Sequence, residues 1–87
     1  MAEKLTLEII TPEGFTFTET VDELTAPGTL GEFGVLPGHT GFITTLDSGP
    51  ITYKIGNVAK TISVKDAYCQ VSNDHVLVLA DSAEIKE

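Results

Sequence analysis

Eighty-seven residues make one small domain, near the size at which a single core is marginal and an obligate partner adds stability. Thirteen acidic against five basic side chains give a formal charge of −8, which repels nucleic acid and anionic lipid and favours a basic protein surface. A single cysteine, Cys69, cannot form an internal disulfide, the N-terminus MAEKLTLEII lacks the basic region and apolar core of a signal peptide, and no stretch approaches the roughly twenty apolar residues of a membrane span. The chain therefore reads as cytosolic or its equivalent, with any membrane association made through another protein.

Alternation with a period of two runs through most of the chain and predicts strands. Leu5, Leu7 and Ile9 alternate with Lys4, Thr6 and Glu8 up to Thr11-Pro12-Glu13-Gly14, a turn with proline in its favoured early position. Phe15 and Phe17 alternate with Thr16 and Thr18. After Glu19 a second, polar stretch from Thr20 to Ala26 holds Val21 and Leu24 until Pro27-Gly28, and the two stretches together predict two short strands joined by a bend. Phe42 to Leu46 forms the next strand, closed by the turn Asp47-Ser48-Gly49-Pro50. Ile51, Tyr53 and Ile55 alternate with Thr52 and Lys54, and Gly56-Asn57 is a two-residue hairpin link into Val58 to Val64. Ala67, Cys69 and Val71 alternate with Tyr68, Gln70 and Ser72 before Asn73-Asp74 turns the chain into His75 to Ala80. There Val76-Leu77-Val78-Leu79 is apolar on both faces, which predicts a central or doubly covered strand. No segment holds a helical period. The expected fold is all-β, a small β-sandwich or flattened barrel of about ten short strands in a single domain over residues 1–87.

The stretch from Gly28 to Pro50, GTLGEFGVLPGHTGFITTLDSGP, departs from simple alternation. Gly28, Gly31, Gly34, Gly38 and Gly41 permit positive φ or close backbone approach every three or four residues, which suits a chain of tight corners and undermines a helix. Between them lie Leu30, Phe33, Val35, Leu36, Phe42 and Ile43, which predict that the corners pack against the body of the domain, Phe42 and Ile43 supporting them from inside. The run Gly31-Glu32-Phe33-Gly34-Val35-Leu36-Pro37-Gly38-His39-Thr40, followed by Thr44-Thr45-Leu46 and Gly49, resembles the G-E-[LF]-G-[IV]-[LY]-P-G-H signature of the epsilon subunit of F-type ATP synthases, called delta in mitochondria. The resemblance extends outward to Leu5–Pro12, like the family's first strand, and to Val76–Ala83, like the strand that closes its N-terminal β domain. In that family the β domain is usually followed by a two-helix hairpin. This sequence stops at Ile85-Lys86-Glu87, as either a naturally short member or a trimmed piece would.

Side chains suited to catalysis are few. His39, His75 and Cys69 are the imidazole and thiol groups, and a catalytic or zinc site needs three of them, or two with a carboxylate, to converge. Cys69 shares a strand face with Ala67 and Val71, the pattern of a small buried hydrophobe, and His75 reads as a partly exposed turn residue. Gly38 is followed by His39-Thr40 rather than a lysine and a hydroxyl residue, and G-x-G-x-x-G is missing, so no phosphate cradle is expected. The pair Asp22-Glu23 reads as a solvated face. These patterns predict no catalytic residue, metal, cofactor or small-molecule ligand. By resemblance, the family's ATP-binding residues belong mainly to the helical hairpin.

A binding surface remains. Glu32, between Gly31 and Gly34, is expected to project from a turn tip, where composition alone allows a plain surface glutamate. The resemblance implies that it faces the polar loops of the membrane c ring, which carry an arginine. His39, Thr44 and Thr11 fall on positions that look like the family's contacts with the gamma subunit. His39 suits equally well a cap on the Pro37-Gly38 corner, and Thr44 an ordinary strand threonine. Gly31, Gly34, Pro37 and Gly38 shape the corners themselves.

Taken together, the resemblance implies a non-catalytic rotor subunit of the central stalk, peripheral on the cytoplasmic face of the bacterial inner membrane. It would link gamma to the c ring and couple proton or sodium flow to ATP synthesis performed by other subunits. With no hairpin in these residues, the inhibition of ATP hydrolysis that the family's hairpin exerts is not expected. Two other classes compete. A lipoyl or biotinyl carrier domain has similar length and acidity but displays its lysine on a tight hairpin, whereas Lys54, Lys60 and Lys65 lie in or at the ends of predicted strands. A small hydrolase or ligand-binding sandwich lacks convergent acid, base and nucleophile candidates.

Overall fold

A computed structural model describes residues 4–38 and 41–86. Among these the regular elements are all strands: β1 (Leu5–Ile10), β2 (Thr16–Val21), β3 (Glu23–Gly28), β4 (Gly31–Val35), β5 (Phe42–Leu46), β6 (Gly49–Ile55), β7 (Val58–Ser72) and β8 (His75–Lys86). The all-β expectation holds, with eight strands in place of about ten. In the second half of the chain the strands are longer than expected, β7 running for 15 residues and β8 for 12. Asp66, at φ 49°, bends β7 without ending it, so two predicted strands are one. The corner-rich ribbon is also more regular than its glycines predict, since Gly31–Val35 is itself a strand paired antiparallel with β3. No helix among the described residues is long and apolar enough to cross a membrane.

The strands follow the hydrogen-bonded order β2-β1-β8-β7-β5-β3-β4, and β6 pairs with both β3 and β7. β1 and β8 run parallel, Thr6 beside His75 through Ile10 beside Leu79, and β7 pairs antiparallel with β8 along nearly its whole length. β5 and β6 pair in succession with one side of β7, Phe42–Leu46 against Val71–Ala67 and Gly49–Ile55 against Val64–Val58. The break between them at Asp47-Ser48 faces the bend at Asp66, so the sheet turns a corner there and β7 and β8 serve both layers. Phe17 on β2 meets Tyr53 on β6 with ring centroids 5.8 Å apart, where the two layers close on each other.

Alternation fills the space between the layers. Leu5, Leu7 and Ile9 from β1, Val76 and Val78 from β8, and Ile51 and Ile62 from β6 and β7 are all within 1% of full burial. Each such side chain contributes about 1.5–3 kcal/mol relative to remaining exposed, which is how so short a chain assembles a core. β8 is central, as its double apolar face predicts, but it is not doubly covered. Val76 and Val78 are buried while Leu77 and Leu79 stay half-buried on the outer face. Asp22, at the bend between β2 and β3, ties the far end together. Its carboxylate accepts from Lys4 Nζ and, at 2.6 Å, from the backbone N–H of Gly56 in the β6–β7 turn.

Candidate interaction surface

The β3–β4 hairpin lies along the edge of the sheet, β4 outermost, and the chain next to its tip is pinned to β5 and the turn that follows it. Gly28 pairs with Leu46 of β5, Asp47 N–H donates to Pro27 O at 2.7 Å, and Thr29 N–H donates to Thr45 O at 3.1 Å. The Thr29 and Thr45 hydroxyls add a bond of 2.8 Å beside these. The turn Thr29-Leu30, held through Thr29, reverses the chain into Gly31, whose φ of +133° is a conformation that L side chains rarely adopt. Leu30, at the tip, is 100% exposed.

The apolar residues of the ribbon divide sharply. Phe33 and Phe42 pack edge to face with centroids 5.3 Å apart against the core, and Val35 is fully buried. Leu30, Leu36 and Ile43 are exposed instead, Ile43 at 70%. The expectation that Phe42 and Ile43 both support the ribbon from inside is therefore corrected. Adjacent residues of a strand face opposite sides of the sheet, so Phe42 follows Val71 inward and Ile43 follows Gln70 outward. Leu30, Glu32, Phe33, Phe42, Ile43 and Thr44 together line one open hollow at the hairpin. It combines two exposed aliphatic side chains, the edges of two aromatic rings, an exposed carboxylate and a hydroxyl, a composition suited to docking a surface rather than to transforming a substrate.

The sequence-expected site residues fall into three places. Glu32 and Thr44 meet at this hollow, Glu32 exposed on β4 next to the tip rather than at it, and Thr44 half-buried with its hydroxyl 3.3 Å from Thr45 O. Thr11 lies at the end of β1, across β8 and β7 from β5, three strand spacings or roughly 14 Å away. It is only 4% exposed, and its hydroxyl accepts the Phe15 N–H at 3.2 Å within the β1–β2 turn. The third, His39, lies outside the described residues, between Gly38 and Gly41. Of the proposed corners, Gly31 and Gly38 take positive φ, whereas Gly34 sits in a regular stretch of β4. In the sequence Leu30 reads as one more packed residue; the signal for its exposure is its position between the turn residue Thr29 and Gly31.

The rest of the surface offers little chemistry. Cys69 is fully buried, and burial pushes its thiol up to about 11, so it stays protonated and inert near neutrality. His75 Nε2 lies 3.0 Å from Glu8 Oε1 on the outer sheet face. Among the described residues no three His, Cys, Asp or Glu side chains are grouped to hold a metal. Lys54, Lys60 and Lys65 sit within strands β6 and β7, and neither the Gly56-Asn57 nor the Asn73-Asp74 turn displays a lysine. That arrangement is against a carrier domain.

Comparison with known proteins agrees with the hairpin signature. A family model described as the β-sandwich domain of the ATP synthase delta/epsilon chain matches residues 4–86. An ATP synthase epsilon chain 2 of Syntrophotalea carbinolica is 47% identical over all 87 residues, which span 63% of that protein. The ATP synthase epsilon chain of Geotalea daltonii is 50% identical over 84 residues, covering 97% of this chain and 61% of the relative. The chain thus spans somewhat under two thirds of the length of these relatives. Among solved structures, a chain of the Euglena gracilis mitochondrial ATP synthase, captured as OSCP, F1 and c ring, superposes with a TM-score of 0.84 at 21% identity, over 94% of this chain and 53% of that one. A chain of the Tetrahymena thermophila mitochondrial central stalk and c ring gives a TM-score of 0.74 at 12% identity, over 93% and 66%. At these identities the two structures report on the fold.

Proposed function

Since the chain belongs to the ATP synthase delta/epsilon family by its β-sandwich domain, we propose that it is a non-catalytic rotor subunit of the central stalk, joining gamma to the c ring. It sits peripherally on the cytoplasmic face of the membrane that carries the complex, and ion flow through the ring reaches the catalytic subunits through it. The observation that carries this reading is the exposed hollow around Leu30, Glu32 and Ile43, mounted on a hairpin clamped to the sandwich at Gly28, Thr29 and Asp47. A torque-bearing joint needs adhesion on a stiff support, and two layers sharing β7 and β8 around one core supply the stiffness. The epsilon-chain identity of the relatives and the rotary assemblies in which the similar folds occur support the same assignment.

Within this reading the surface is divided. Glu32, exposed and surrounded by apolar contact area, meets the cationic loops of the ring, and the chain's net charge of −8 steers it there. Thr44 and His39 contact gamma. Thr11 shapes the β1–β2 turn from within, so any contact at that end is made by the turn's surface rather than by its buried hydroxyl.

Capture of purified gamma and of purified c ring by the 87-residue chain tests the proposal. Glu32→Lys is expected to weaken ring attachment by about tenfold at low salt, less as salt rises, and to leave gamma binding intact. Thr44→Trp is expected to do the reverse. Failure of the unaltered chain to bind either partner would exclude the rotor assignment, and equal loss of both contacts in each variant would exclude the division of the surface.

A further inference from the structure

We propose that Asp74 is a positioning residue that holds Gly38, at the corner after β4, where gamma binding requires it, an inference that rests on the gamma-contact reading of the neighbouring His39. The loop joins β4 to β5 and carries Pro37, Gly38 and His39. Its midpoint is fixed from a distant part of the chain, since the Gly38 N–H donates to Asp74 Oδ1 at 2.7 Å across 36 residues of sequence. Gly38 has a φ of +85° with open space where a side chain would be, so its conformation, not crowding, is what the site demands.

Asp74 is itself firmly held. It lies in the β7–β8 turn, where Asn73 and Asp74 take φ of 51° and 62°, values that Asn and Asp tolerate better than most residues. Its backbone carbonyl accepts the Thr6 N–H at 2.9 Å, which fastens the turn to the start of β1. On the other side of the loop, Gly41 lies so close to the same hairpin that an added Cβ would stand 2.9 Å from Val71 O. The loop is thus drawn onto the β7–β8 hairpin at both Gly38 and Gly41. The carboxylate is the directional part of that attachment, because it ties the Gly38 N–H to the turn between the two longest strands. Nothing in the ribbon's own sequence identifies this partner.

The carboxylate separates cleanly from the backbone it stands on. Asp74→Gly removes the acceptor while accepting positive φ, and Asp74→Asn keeps an oxygen acceptor at the same place. By amide hydrogen exchange on the 87-residue chain, the Gly38 N–H is expected to exchange about tenfold faster in Asp74→Gly and to return towards the original rate in Asp74→Asn. The Thr6 amide, bonded to the Asp74 backbone carbonyl, should stay protected in both and certifies the fold. Affinity for purified gamma should fall about tenfold in Asp74→Gly, recover in Asp74→Asn, and leave ring attachment through Glu32 unchanged. An unchanged Gly38 rate in Asp74→Gly overturns the clasp itself. A faster Gly38 rate with full gamma affinity overturns the positioning role while sparing the rotor assignment. A chain with the clasp intact that never binds gamma sinks the rotor assignment instead.

Discussion

The inner face of the long β7–β8 pair and the tip of the short β3–β4 hairpin use apolar residues in opposite ways, although the pair also exposes Val58, Tyr68 and Ile85. Along β7 and β8, Ile62, Val64, Cys69, Val71, Val76 and Val78 are all within 2% of complete burial and bind the two layers into one body. On the hairpin and its continuation, Leu30, Leu36 and Ile43 stand in solvent although the chain has few large apolar residues to spare. A domain near the lower size limit for independent folding gains nothing in stability from such exposure. The contrast teaches that one region is organised to persist and the other to be completed by a neighbour.

The sharpest way to break that contrast is to damage the body. Leu7→Ala on β1, at 0% exposure and packed within the shared core, is expected to cost about 2–5 kcal/mol. In a domain of this size that lowers the thermal midpoint by at least roughly 10 °C, readable by circular dichroism. A loss near zero would mean that the core is looser than its burial implies.

A smaller loss is expected from the turn that ends β1. Thr11→Val keeps the shape of the side chain and removes the oxygen that accepts the Phe15 N–H, at an expected cost of about 1–2 kcal/mol. Chemical denaturation should show an earlier midpoint with an unchanged slope. If gamma binding fell without any change in stability, Thr11 would be a contact and not a brace.

The Lys4–Asp22–Gly56 clasp gives a milder effect that depends on pH. The hydrogen bond from Lys4, then that from the Gly56 N–H, holds the Asp22 carboxyl below its ordinary value of 3.8. Its contribution is therefore present in full above that ordinary value and is lost as the pH falls through the depressed one. Melting the protein beside Asp22→Asn should show the larger difference at neutral pH and convergence in strong acid. Parallel curves at every pH would assign the difference to shape instead of charge.

Much of this was legible in the residues. Leu5, Leu7 and Ile9 announce a half-buried strand because a two-residue period puts every apolar side chain on one face, and the structure buries all three. The signature around Pro37-Gly38 likewise fixed the family. Two things were not legible, for physical reasons. Glycine spacing reports where the backbone is free, not what it does there, so Gly31–Val35 reads as corners although hydrogen bonds to β3 make it a strand. Long-range contacts leave no local trace either. Asp74 looks like any hairpin residue, Leu30 like any packed leucine, and only the assembled sheet shows the first holding Gly38 and the second exposed.

The smallest effect on folding belongs to the residue whose exposure defines the comparison. Leu30→Ser removes a side chain that is fully in solvent, so the change in stability should stay within about 0.5 kcal/mol by denaturant titration. The same substitution strips the tip of the hollow, and a leucine that a partner buries is worth about 1.5–3 kcal/mol, so capture by the ring or by gamma should weaken at least tenfold. Leu7→Ala and Leu30→Ser thus form a pair, one expected to damage the fold and the other the attachment. Should Leu30→Ser leave both stability and capture untouched, the hairpin tip would be plain solvent-facing surface, and the docking face would have to be sought on the outer side of β7 and β8, around Tyr68, Leu77 and Leu79.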